Sequence, residues 1–182
     1  MNIFLSLLFM FLATVTRAET FITSDIDGDG HAESFELIGA DIDALDDGAD
    51  LLIRSRATTI RARDIAWVGG LYGQLPMLAR APNGSILLTS MNASVGRDRW
   101  ELTLTIAYRS GAYRIAGYTY HWRDTLNPDA FGSCDLNLLT GRGTLTTPNQ
   151  KNKPVRTVLS APRVEEWSAY APLPAACDPD LS

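Results

Sequence analysis

Beyond residue 19 the apolar side chains of this chain recur at every second position in short runs, and no 3.6-residue period lasts long enough for an extended helix. Period-2 runs cut by glycine, asparagine and aspartate are the mark of strands joined by turns. Strands are predicted over 20–23, 34–39, 50–55, 85–90, 99–109, 112–122, 143–147 and 155–159, with Asp47-Gly48 and Asn83-Gly84 as turn dipeptides between them. One short helix is expected over 161–168, with Ser160 as its cap and Pro162 in its first turn. The fold class is therefore all-β, in antiparallel sheets arranged as a sandwich or as part of a propeller, with at most this one short helix near the C-terminus.

The longest readable unit is the hairpin 99–122, turned by Ser110-Gly111. Counting outward from the turn pairs Tyr108 with Tyr113, Ile106 with Ile115, Leu104 with Gly117, Leu102 with Thr119 and Trp100 with His121. That register puts Tyr118, Tyr120 and Trp122 on the opposite face, beside Arg99 and Glu101. Three rings in a row suit stacking on sugar rings, and they suit equally well a covered core face.

Between the first two strands lies Ser24-Asp25-Ile26-Asp27-Gly28-Asp29-Gly30-His31-Ala32-Glu33. Carboxylates at alternate positions converge only if the backbone coils tightly, which Gly28 and Gly30 permit. Held close, such groups either take up protons or recruit a hard cation that prefers oxygen ligands. The loop 25–36 thus reads as a calcium loop, with Asp25, Asp27, Asp29 and Glu33 as carboxylate ligands and His31 contributing its backbone carbonyl. The spacing also matches an EF-hand with Glu36 at the twelfth position, but the strand-like flanks leave no place for an entering helix.

The surrounding charge is lopsided. Residues 19–50 contain 11 of the 21 acidic residues and no lysine or arginine, whereas 51–182 carry 15 basic and 10 acidic side chains.

The same residues, Asp25 to Glu33 followed by Phe35 and Leu37, resemble the loop of FG-GAP and VCBS-type repeats over about 15 positions. Those repeats are β-propeller blades of secreted and cell-surface proteins, integrin α-subunits among them, with calcium held between strands. The chain carries a single clear copy. It also resembles small bacterial secreted proteins that pair such a loop with a segment like Cys134-Asp135-Leu136-Asn137-Leu138-Leu139-Thr140-Gly141, a likeness that implies location.

At the N-terminus an apolar run over 3–15 is followed by Thr16-Arg17-Ala18, the pattern of a secretory signal peptide cleaved after Ala18. Thirteen apolar residues fall short of the ~20 needed to span a membrane. Cleavage leaves residues 19–182 as one β-rich domain, with 15 basic against 21 acidic residues, a balance unsuited to nucleic acid. Cys134 and Cys177 are the only cysteines, and in a secreted or periplasmic protein they are expected to form a disulfide.

Catalytic patterns are sparse. There are two histidines, His31 and His121, and neither a Gly-x-Ser-x-Gly elbow nor a His-Glu-x-x-His helix. His121 near Asp124 is the one base-and-orienter pair within reach. No catalytic residue is assigned. The leading expectation is a calcium-stabilised binding or structural module with a protein or glycan partner; the alternatives are a secreted hydrolase or a carbohydrate-binding module using Tyr118, Tyr120 and Trp122.

Overall fold

A computed structural model of the chain describes residues 20–40 and 47–178. The expected signal segment lies outside them. Among the described residues, eleven strands form two antiparallel sheets, each a meander in which consecutive strands are neighbours. The four-stranded sheet runs β1 (Phe21–Ser24), β2 (Glu33–Ile38), β3 (Gly48–Arg54) and β4 (Thr59–Trp67). The seven-stranded sheet runs β5 (Met77–Arg80), β6 (Ile86–Asn92), β7 (Asp98–Arg109), β8 (Ala112–Asp124), β9 (Phe131–Asn137), β10 (Arg142–Thr147) and β11 (Gln150–Arg156). The all-β, two-sheet architecture is the expected one. Neither sheet closes into a barrel, and among the described residues there is no repeated four-stranded blade of the kind a propeller stacks.

Alternation builds the core. Phe35 and Leu37 of β2, Leu51 and Ile53 of β3, Leu88 of β6, Leu104 and Ile106 of β7 and Leu136 of β9 are buried and belong to one apolar cluster fed by both sheets. Burial of this apolar surface is the main force holding the sheets together. At the far edge, β11 carries Lys151, Lys153 and Pro154, residues that discourage pairing with another chain.

Strands β4, β5 and β9 were not expected, and β11 covers Gln150–Arg156 where a strand over 155–159 was predicted. In β4, arginine, alanine and aspartate dilute the β-branched signal, and the strand is interrupted by a bulge. Opposite it the register jumps between Ala49 and Leu51, Asp64 adopts φ +48°, and the Asp50 carboxylate accepts the Asp64 amide at 2.9 Å. In β9, Gly132 reads as a breaker. Here it is required, because a Cβ at Gly132 would collide with the indole of Trp122, its partner on β8. Gly48, predicted in a turn, instead opens β3.

The C-terminal helix shrinks to one 3-10 turn over Val164–Glu166. Residues before it are held extended: Pro162 accepts the Ile115 amide at 2.9 Å, and Arg114 Nη1 donates to the Ala161 carbonyl at 2.8 Å. Beyond the turn, Ala169 donates to Asp64 of β4 at 2.7 Å, and a Cys134–Cys177 disulfide ties the tail to β9. The tail thereby crosses from the large sheet to the small one and back.

The hairpin β7–β8 corrects the counted register. Tyr108 faces Tyr113 and Ile106 faces Ile115 as expected, around Ser110 (φ +52°) and Gly111 (φ +73°). The pairing then shifts by one at Ala116, so Leu104 faces Tyr118, Leu102 faces Tyr120 and Trp100 faces Trp122. A bulge adds one residue to one strand, and with a side-chain period of two the single extra residue transfers everything beyond it to the other face. Tyr118, Tyr120 and Trp122 therefore share the inner face with Leu102 and Leu104. His121 consequently faces Glu101, not Trp100, on the outer face.

Candidate functional site

The loop of residues 25–32 connects β1 to β2, whose first residue, Glu33, pairs with Ser24. Along β2 the inward positions are Glu33, Phe35 and Leu37, which places a carboxylate at the end of an otherwise apolar row. Glu33 is only 1% exposed. Burial, reinforced by the negative charge of Asp27, pushes its pKa up, although the Ile26 amide donates to its Oε2 at 3.0 Å and opposes the shift.

The aspartates are fixed by backbone amides. Gly28 and Gly30 donate to the two oxygens of Asp25 at 2.8 and 3.0 Å, Asp29 donates to Asp27 at 2.9 Å, and His31 donates to Asp29 at 2.7 Å. Gly28 (φ +79°) and Gly30 (φ +87°) supply the left-handed backbone that turns these amides inward. One oxygen from each of Asp25, Asp27, Asp29 and Glu33 lies within 4.8 Å of every other. This acidic cluster could bind a metal.

The donor set is oxygen only, which suits a hard cation. The His31 ring is occupied elsewhere, with Nε2 2.8 Å from Arg56 Nη1. Glu36 points to the other face of β2 and pairs with Arg54 at 2.6 Å, away from the cluster.

One neighbour of this site was not legible in the sequence. Tyr113, from β8 in the other sheet, packs edge-on against Phe35 with ring centroids 6.2 Å apart. Its phenol pKa is raised by burial first and then by the charges of Glu33 and Asp27. No signal in the sequence links residues 33 and 113; only the packing of the two sheets does.

The aromatic row lies elsewhere, toward the opposite end of β8. Tyr120 and Trp122 stack with centroids 5.6 Å apart and 21° between planes, Tyr118 contacts Trp167 of the tail at 6.0 Å, and Trp67 of β4 meets Trp100 of β7 at 5.2 Å. Tyr118 is buried, while Tyr120 and Trp122 are half-buried. His121 and Asp124, the one base-and-orienter pair within reach in the sequence, are not brought together: Arg97 grips the Asp124 carboxylate through Nε and Nη2.

These features define an all-β, two-sheet domain carrying an acidic cluster that could bind a metal, and the disulfide is of the kind found in oxidising compartments. No helix among the described residues is long and apolar enough to cross a membrane. No protein-family model, curated protein or solved structure gives a significant match to the chain.

Proposed function

We propose that this is a secreted or periplasmic single-domain β-protein whose β1–β2 loop binds one calcium ion, chiefly for stability, and that it serves as a binding or structural module. The observation that carries this reading is the buried Glu33 carboxylate, set beside Asp27 with four oxygens within 4.8 Å of one another. Like charges in a desolvated corner raise the free energy of the fold, and a divalent ion reverses the sign of that interaction. Oxygens across a calcium ion at 2.3–2.6 Å would be about 4.6–5.2 Å apart, so the cluster is of the right size. Four carboxylates exceed the one or two that typically hold magnesium. The His31 carbonyl and water would complete the shell.

On this reading the acidic loop clamps the start of β2 to β1, next to Tyr113 of the opposing sheet. Partners are a protein or a glycan rather than nucleic acid, in keeping with the acidic balance of residues 19–182.

Thermal unfolding of the mature protein with calcium and with chelator tests the assignment. At 100 times the dissociation constant, calcium should add about 2.7 kcal/mol, a midpoint rise of roughly 5–10 °C for a domain of this size. Asp27→Asn should abolish most of that rise. Equal midpoints in the wild-type protein would remove calcium from the account.

A further inference from the structure

We infer that the outer face of the seven-stranded sheet is a docking surface for an anionic polysaccharide. The inference rests on the binding-module half of the proposed function and not on the ion. The tail packs over the inner side of β7–β8, where Trp167 and Leu173 wall a cleft beside Tyr120. The outer side of the sheet is left open, and Arg123, Arg142 and Arg156 on it are exposed.

Register sorts the charges. Residues that face each other across paired strands share a side of the sheet, and the side alternates along each strand. Buried Leu104, Tyr118 and Leu136 mark the inner side, so Arg99, Arg109, Arg114, Arg123, Arg142 and Arg156 fall on the outer one. Glu101 and Asp135 are the acids there, while Asp98 and Asp124 share the inner phase of Trp100 and Trp122. Of the 15 basic and 21 acidic residues between 19 and 182, the strands of this face thus carry six and two.

Two of the pairings are unfavourable as they stand. Arg99 faces Arg123 across β7–β8, and Arg142 faces Arg156 across β10–β11. Like charges directly opposite each other on neighbouring strands repel. The ion pairs among the described residues, Arg54–Glu36, Arg61–Asp50 and Arg97–Asp124, involve none of these four arginines. A chain of negative groups laid over the face turns each repulsion into an attraction, so charge complementarity selects the partner.

The ground between the pairs selects the kind of polyanion. Arg123 and Arg142 are two strands and six residues of register apart, roughly 20 Å across the sheet. Thr103, Thr119, Ser133 and Thr144 lie between the pairs, and their hydroxyls both donate and accept, as sugar hydroxyls do. Phe131 is the one ring on this side among the described residues, so unpaired bases would find no ladder to stack on. A sheet seven strands wide is too broad for the major groove of a duplex, which admits a helix or a two-stranded ribbon. Phe131 is also the one large exposed hydrophobic on these strands, too little to anchor in a bilayer.

The mature protein with its disulfide intact should be titrated calorimetrically with polygalacturonate and with heparin, which carry carboxylate and sulfate groups respectively. Dextran is the neutral comparison, and chelator keeps calcium from bridging protein and chain. The expected result is saturable binding of at least one anionic chain and none of dextran, weakening as salt rises from about 0.05 to 0.2 M. Arg99→Gln with Arg123→Gln should weaken it about tenfold, and so should Arg142→Gln with Arg156→Gln. Arg54→Gln with Arg61→Gln removes the same charge from the small sheet and should change it less than about twofold. Circular dichroism establishes that each variant is folded. Silence from both anionic chains, equal binding of dextran, or equal losses in all three double variants would overturn the proposal. Tighter binding of duplex DNA or of phosphatidylglycerol vesicles than of either anionic glycan would overturn it too. With calcium absent throughout, failure here leaves the ion assignment standing, and a thermal midpoint indifferent to calcium leaves this surface standing.

Discussion

Glu33 and Asp124 are both carboxylates at the end of a strand, yet their surroundings push them in opposite directions. Glu33 is desolvated beside another acid and its pKa rises; Asp124 accepts hydrogen bonds from Arg97 and from the Leu126 amide, and its pKa falls. A lowered native pKa means that the ionised form favours the fold. Asp124 therefore contributes stability that is in place above its ordinary value of 3.8 and is lost as the pH drops through the lower native value. In Asp124→Asn the carboxylate is gone, so the stability gap to wild type at about pH 6 should close progressively below that ordinary value. Chemical denaturation across this range measures it, and a gap that stays constant under acid would refute the coupling.

At the scale of elements, the β7–β8 hairpin shows how a local signal and a distant one divide the work. Ser110 and Gly111 both have positive φ, so the two-residue turn has the backbone twist that matches paired strands. Gly111→Ala should cost about 1–2 kcal/mol for placing a side chain in the left-handed region, read as a lower denaturation midpoint with an unchanged slope. No change in the midpoint would mean that the turn relaxes freely. The turn and its first pairs were legible because they depend on adjacent residues. The bulge at Ala116 was not, since an alanine carries no mark of a register shift. What holds the bulge is remote: the Ala116 carbonyl accepts the Leu138 amide at 2.9 Å, and Gly117 lets the backbone pass close to Thr105. The error at one residue inverted the reading of Tyr118, Tyr120 and Trp122.

For the whole molecule, the tail acts as a strap across both sheets. The disulfide closes a loop of 43 residues, which stabilises the fold by about 4 kcal/mol in the chain-entropy model. Replacing both cysteines with serine should lower unfolding stability by roughly that amount. It should also loosen the wall formed by Trp167 and Leu173, seen as faster hydrogen exchange at Ala169 while the central strands stay protected. Equal exchange in both proteins would show that Ala169's bond to Asp64 holds the strap unaided.

The residues by themselves determined the all-β class, most strand positions, the cysteine pairing and the tight coil of the acidic loop, because each arises from alternation, turn chemistry or neighbours a few positions apart. Tertiary structure decided which way the aromatic row faces, that Glu33 is buried, with Tyr113 of the other sheet within reach of its charge, and that the tail closes one end of the sheets into a cleft. Those outcomes depend on contacts between segments tens of residues apart, and period-2 alternation cannot show where a single added residue reverses its phase.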